Sequence, residues 1–287
     1  MKSKAQQIFI MGDVHADWPN LNDFINKRIR RNAKMRALAQ EYDLEAIILQ
    51  CGDFGYWPHY RPDDFYGDGI DYANPPGPYK NYAVKNWEID FLKDQMVKIY
   101  WADGNHENHD RLDLLEQQAK GRKFIPVSPQ VFFATFGSVL TLLDGTNVMF
   151  CGGAKSDDQK FRKLGDSWWE QEEVDEKDLM NLPDHATTHI DWVISHNCPK
   201  LIDIEHGLHR YSPHFFDPSR IYLDEVMRKF QPKRWFFGHY HRYCSGENNG
   251  CEWMCLDYPS HSGKWWESML ITEDGTSRNN EKDFEND

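Results

Sequence analysis

Long hydrophobic runs are missing from this chain. No segment of its 287 residues approaches the roughly 20 consecutive apolar positions that a membrane-spanning helix requires, so no membrane partner is expected. No secretory leader is expected either: MKSKAQQ runs straight into IFIMGD with neither an apolar core nor a small-residue cleavage site, and the chain reads as cytoplasmic. Cysteine is sparse. Cys51, Cys151, Cys198, Cys244, Cys251 and Cys255 lie scattered along a sequence without an export signal, which argues against a disulfide framework and for reduced thiols. The segment CSGENNGCEWMC also lacks the spacing of a zinc knuckle. Positive charge is in deficit, with 33 Lys and Arg against 46 Asp and Glu. Stable binding to nucleic acid is therefore not expected, because a polyanionic backbone is bound largely through cationic side chains. A small anion can still be held where bound metal ions offset the global field.

What is present is an alternation of two periodicities. The apolar runs IFIM (8–11), AIILQC (46–51), VKIYW (97–101), VLTLL (139–143), NVMFC (147–151), DWVIS (191–195), RWFF (234–237), CEWMCL (251–256) and ESMLI (267–271) predict strands. Several are apolar without interruption, as strands covered on both faces are. Leu21, Phe24, Ile25, Arg28, Met35, Leu38, Ala39 and Tyr42 recur at three- and four-residue steps, and 108–119 and 219–230 are similarly periodic, which predicts helices. Strands alternating with helices imply an α/β sandwich. The Asp-Gly turn between 139–143 and 147–151 makes part of the sheet antiparallel.

Two segments interrupt the alternation. Residues 56–85, rich in Pro, Gly and Tyr, read as an ordered loop insertion, and 155–185, which contains GDSWWEQEEVDEKDL, as a second one with an exposed acidic stretch beside two tryptophans. Both follow predicted strand ends, where α/β proteins keep their ligand sites. The expected organisation is a single domain over residues 1–275 and a polar, mobile tail at 276–287.

Five of the apolar runs end in side chains that can ligate a metal. IFIM is followed by Gly12, Asp13, Val14 and His15; AIILQC by Gly52 and Asp53; VKIYWAD by Gly104, Asn105 and His106; DWVIS by His196; and RWFF by Gly238, His239, Tyr240 and His241. Singly, each reads as a turn or a hydrogen-bonded core histidine. Together they read as one site, because the strand ends of a parallel sheet converge on one crevice. Glycine before a ligand lets the backbone crowd the centre. Asp13 and His15, like His239 and His241, are one residue apart, so extended backbone would aim each pair to one side.

This order, D-x-H, G-D, G-N-H, H and G-H-x-H, resembles that of the calcineurin-like metallophosphoesterase superfamily over residues 8–272. The resemblance implies a four-layer α/β/β/α sandwich with mixed sheets and a dinuclear metal centre. Motif by motif, it implies that Asp13, His15 and His241 hold one ion, that Asn105, His196 and His239 hold the other, and that Asp53 bridges them. His106 would stand beside the centre without binding metal. Phosphoester hydrolysis suits such a set: two cations roughly 3.5–4 Å apart acidify a bridging water to hydroxide and clamp phosphate oxygens. No covalent enzyme intermediate is then needed. His106 would hydrogen-bond the phosphate or protonate the leaving oxygen, with Asp13, Asp103 or Glu107 tuning its proton affinity. A nitrogen and oxygen shell without thiolate suits two divalent ions, Mn first, with Fe, Zn, Co or Ni as alternatives.

The protein phosphatase and diadenosine tetraphosphatase branches carry arginines that this chain lacks at the corresponding places, where it reads GDFGYWPHY and WADGNHE. It instead resembles the small bacterial and phage metallophosphoesterases, through Gly152-Gly153-Ala154 and Ser167-Trp168-Trp169-Glu170 with Glu173 nearby. The missing arginines lean away from phosphoprotein and toward a nucleotide or phosphodiester, so the expected partner is a phosphorylated small molecule or nucleotide. The alternatives are a phosphoprotein phosphatase and a non-catalytic metal-binding scaffold, although a scaffold would be expected to have lost ligands.

Candidate substrate contacts are Asn105, His106, Arg162 and Trp168. The plainer reading of Arg162 is a solvated surface charge. That of Trp168 is packing rather than stacking on a base. The basic run KRIRRNAKMR falls on a predicted amphipathic helix and reads as its solvated face. His109, His185, His189, His206, His209, His214 and His261 have no motif support.

Overall fold

The computed structural model describes residues 2–56, 97–204 and 216–275, together with the backbone of 278–279. The insertion expected at 56–85 falls outside the described residues except for Tyr56, as do Trp57, His206, His209, His214 and most of the tail. The strands are, in chain order, β1 (Lys4–Met11), β2 (Asp43–Gln50), β3 (Val97–Trp101), β4 (Phe124–Ser128), β5 (Val131–Ala134), β6 (Ser138–Thr141) and β7 (Asn147–Cys151). They continue with β8 (Trp192–Ser195), β9 (Arg234–Phe237), β10 (Cys244–Asn248), β11 (Cys251–Cys255), β12 (Trp266–Thr272) and β13 (Arg278–Asn279). The α-helices are α1 (Trp18–Phe24), α2 (Ala33–Glu41), α3 (His109–Ala119), α4 (Glu176–Leu179) and α5 (Ser219–Phe230).

Two mixed sheets result, in the orders β13-β12-β1-β2-β3-β5-β4 and β10-β11-β9-β8-β7-β6. Alternation along each strand sorts its side chains between two cores. Ile8, Ile10, Ile47 and Leu49 of the first sheet meet Val148, Phe150, Ile194 and Phe236 of the second in the central layer. Their neighbours Phe9, Met11, Ala46 and Ile48 face outward onto Leu21, Phe24, Met35, Leu38 and Leu112 of the first three helices. Met149, Val193, Trp235 and Phe237 likewise pack under Leu223, Val226, Met227 and Phe230 of α5. Covering both faces of both sheets explains the uninterrupted apolar runs. Each fully buried large apolar side chain stabilises the fold by about 1.5–3 kcal/mol. The architecture is the expected four-layer α/β/β/α sandwich.

The helical periodicity over 21–42 resolves into more than one element. α1 continues into a π-helical turn at Ile25–Arg30, and α2 starts anew where Asn32 caps it, its Oδ1 accepting from the Met35 N–H at 3.1 Å. The basic run therefore straddles a break instead of lining one helix. β4, β5 and β10 have no counterpart among the predicted strands. β10 is the outermost strand of its sheet and reads CSGEN, polar and mostly exposed, so it carries no hydrophobic signal.

Behind the edge where β3 and β7 end lies a cavity of about 480 Å³, lined by Asp103, Glu116, Glu173 and Asp178 among others. Burial pushes the carboxyls of Glu116 and Asp178 up, the latter to about 6. A raised native value means the folded state binds more protons than the unfolded one. Their contribution is thus fully present below the ordinary carboxyl range and is lost as pH rises through the native values. Asp178→Asn keeps an acceptor for the Asp175 N–H, which Asp178 accepts at 2.9 Å, and removes the charge. It is expected to raise the melting temperature at pH 8 by about 2–4 °C for each kcal/mol regained, and to leave it unchanged at pH 4. Equal shifts at both pH values would show that ionisation is not involved.

Candidate active site

Asp13 and His15 follow β1, Asp53 follows β2, Asn105 and His106 follow β3, His196 follows β8, and His239 and His241 follow β9. The structure brings all of them to one edge of the sandwich. Asp53 stands in the middle: its Oδ2 is 3.5 Å from His15 Nε2, and its Oδ1 is 3.3 Å from His196 Nε2. On the first side, His15 Nε2 and His241 Nε2 are 2.8 Å apart, and His241 Nε2 is 3.2 Å from Asp13 Oδ2. Ligand atoms of Asp13, His15, Asp53 and His241 all lie within 4.8 Å of one another, a group that could hold a metal ion. On the second side, Asn105 Oδ1 is 2.9 Å from His196 Nε2 and 3.1 Å from His239 Nδ1. Imidazole nitrogens and carboxylate and amide oxygens from five segments are thus gathered within a few ångströms of Asp53. That donor set fits borderline divalent cations.

The backbone reaches this arrangement differently from the expectation. His15, Asp53, His239 and His241 have φ of 49°, 50°, 68° and 49°, in the left-handed region, so neither D-x-H nor H-x-H is extended. The two histidines of the second pair consequently part, His241 joining Asp13 and His15, and His239 joining Asn105 and His196. Such conformations cost of order 1–3 kcal/mol each, and local hydrogen bonds hold them. The His15 N–H donates to the Asp53 carbonyl at 2.7 Å, the His239 N–H to Asp13 Oδ1 at 2.9 Å, and the His106 N–H to Asp53 Oδ1 at 2.8 Å. Gly104 and Gly238 make the close approach feasible, since a Cβ on either would run into Asp53 Oδ1 or Asp13 Oδ1 respectively.

The buried charges are strongly linked. Burial alone would raise the carboxyls of Asp13 and Asp53, but the surrounding histidines outweigh it and hold both below the ordinary range. Burial would likewise lower His196, yet Asp53 and Asp13 lift it to about 10. His239 is pushed down to about 4 by burial and by His196. Binding of a cation to this set would displace the His196 proton.

Residues 7–243 match the model of the calcineurin-like phosphoesterase family. This chain is a calcineurin-like phosphoesterase. The phosphoesterase is accordingly a hydrolase of phosphoric esters. Among solved structures it is similar to the protein TT1561 of Thermus thermophilus, at 12% identity and TM-score 0.49, covering 96% of this chain and 99% of that one. It is also similar to a Staphylococcus aureus protein assigned as a 5′-nucleotidase, at 12% identity and TM-score 0.49, covering 96% of this chain but 53% of the other, so this chain spans about half of that protein's length. A third is the phosphopantetheinyl hydrolase of Mycobacterium tuberculosis, at 12% identity and TM-score 0.41, covering 90% and 91% of the two chains. No protein of curated function matches the sequence. Among the described residues, no helix is long and apolar enough to cross a membrane.

Around the phosphoesterase's donor residues the structure corrects two expectations. Arg162 is not a solvated surface charge: its side chain is 1% exposed, its Nε meets Asp158 Oδ1 at 2.7 Å, and its Nη2 lies 2.9 and 2.7 Å from the two ring nitrogens of His106. Burial and this neighbouring cation hold the His106 imidazole well below the ordinary histidine range, against the pull of Asp53. The acidic stretch after the tryptophans is not uniformly exposed either, because Glu172 is fully buried. Its Oε1 accepts from the Ser156 N–H at 2.8 Å, and its carboxylate also engages the Ser156 side chain. Ser156 Oγ in turn accepts from Asn105 Nδ2 at 3.1 Å. This relay turns the Asn105 carbonyl oxygen toward His196 and His239.

Other side chains border this set. Glu107 accepts from the Gly55 and Gly104 N–H groups at 2.9 and 2.7 Å and clamps two ligand loops together. Tyr258 lies 4.7 Å from His241 by ring centroids and stacks on His261. Trp169 is buried beside His109. Trp168 is half-buried in the turn with Ser167, whose carbonyl accepts from Arg162.

Proposed function

We propose that this phosphoesterase hydrolyses a small phosphorylated molecule, a nucleotide or a phosphodiester, at a centre for two divalent metal ions. The observation that supports this best is the division of Asp53, whose two oxygens face separate donor sets. Asp13, His15 and His241 would hold one ion, Asn105, His196 and His239 the other, and Asp53 both. Mn suits this mixed shell, with Fe, Zn, Co or Ni as alternatives. When bound, such ions polarise the phosphoryl group and make water nucleophilic at neutral pH.

The chain's own groups then position and balance. The Asp53 charge between the sets offsets cation repulsion. His106 belongs to neither set and presents an N–H to a phosphoryl or leaving oxygen. Asn105 contributes to the substrate side of the same edge, and Trp168 flanks the turn that holds Arg162. Arg162 also favours a second reading. It brings a guanidinium to the site from outside the family motifs, and a dianionic monoester would use that charge.

The test is a substrate panel on Mn-reconstituted protein of measured metal content. Turnover of p-nitrophenyl phosphate with neither its bis ester nor cyclic nucleotides hydrolysed would overturn the diester arm. No turnover of any phosphoester at full metal occupancy would overturn the whole reading. A separate check concerns the relay behind Asn105. Glu172→Ala and Ser156→Ala are each expected to weaken metal binding by about 10–100-fold, read by calorimetric titration. Wild-type affinity in both would show that Asn105 is oriented without them.

A further inference from the structure

We propose that Cys244 and Cys255 form a redox-active dithiol that a peroxide converts into a cross-strand disulfide. The two residues face each other directly in the antiparallel β10–β11 pair. Residues so paired have Cα atoms roughly 4.5–5.5 Å apart, inside the span that a disulfide bridges. Cys244 packs against the buried apolar cluster that contains Cys255. Cys244 is half-buried on the outermost strand of its sheet, within reach of a small oxidant, whereas Cys255 is fully buried beneath it.

The division of roles follows from these surroundings. The neighbouring Cys255 side chain and the nearby Arg242 guanidinium hold the Cys244 thiol down, at about 7, while burial keeps that of Cys255 well above the ordinary thiol range. Cys244 thiolate is thus the attacking group. It takes one oxygen from hydrogen peroxide, breaking the O–O bond, to become a sulfenic acid with release of hydroxide. The Cys255 sulfur then attacks the Cys244 sulfur and expels the second hydroxide. With the two thiol protons, the two hydroxides leave as two waters. The dithiol loses two electrons and the peroxide gains them.

The placement gives the reaction a route to the strand end below it. Cys255 Sγ donates to the Gly238 carbonyl at 3.6 Å, and Gly238 immediately precedes His239. Disulfide formation removes that S–H donor. Cys198, whose Sγ lies 3.7 Å from the Tyr240 hydroxyl, is the competing partner.

The test uses the native full-length protein, treated with hydrogen peroxide, alkylated, and cleaved after glutamate without reduction. Cleavage at Glu247 and Glu252 places Cys244, Cys251 and Cys255 on separate peptides. The expected product joins the Cys244 and Cys255 peptides, two hydrogens lighter than their sum, forms faster than in urea-unfolded protein, and is reversed by dithiothreitol. Cys244→Ser is expected to leave Cys255 reduced under the same treatment. A cross-link from Cys255 to Cys198 would overturn the proposal. So would sulfinic acid at Cys244 with Cys255 free, recovery of both thiols unmodified, or equal rates in native and unfolded protein.

Discussion

Asp53→Asn protein is expected to lose tight metal binding and turnover together. The substitution keeps the volume and an oxygen that can accept the His106 N–H, now 2.8 Å from Asp53 Oδ1. Asn also tolerates the residue's left-handed backbone, φ 50°. What it removes is the negative charge standing between the two donor sets, where Asp13 is then the only carboxylate left among them. Leaving buried charge uncompensated costs about 3–5 kcal/mol, which corresponds to roughly two to four powers of ten in affinity. Metal content after dialysis, measured alongside kcat in excess Mn, checks this. A variant that keeps two metal equivalents and near wild-type kcat would mean that Asp53 does not serve both sets.

His106→Ala should separate the two properties. His106 borders Asp53 and Arg162 but belongs to neither donor set, so its removal is expected to leave metal content unchanged. Loss of a group that hydrogen-bonds or protonates the reacting phosphoryl lowers kcat by about 100- to 10,000-fold. Metal analysis and steady-state kinetics on one preparation decide the matter. If metal is lost along with activity, His106 is part of the binding shell. If kcat stays near wild type, Arg162 and the metal centre suffice without it. The pair of variants is informative jointly, because a protein that fails to fold would lose metal in both.

Much of this geometry was legible before the fold was known. Asp13, Asp53, Asn105, His196 and His239 stand immediately after apolar strands or within a few residues of them, and parallel strand ends share an edge. Local sequence therefore specified long-range proximity. The route was less legible. Alternation in an extended chain would put His239 and His241 on one side, whereas left-handed backbone at both sends them to different sides of Asp53. Arg162 looked like surface because the 155–185 segment has no strong periodicity. Only the return of that segment over the site buries its guanidinium against His106. Tyr258 and His261 had no motif, and come near His241 through the loop that joins β11 to β12.

The sequence by itself determined the family, the α/β class and which candidate donor side chains stand at the strand ends. Those depend on residue type at strand ends, and strands buried on both faces leave an unmistakable apolar imprint. Tertiary structure alone decided which donors face which oxygen of Asp53, which arginine reaches the site, and how Asn105 is turned. These are properties of distance and burial between segments remote in the chain. Coulomb and hydrogen-bond energies depend on such separations, and no local pattern encodes them.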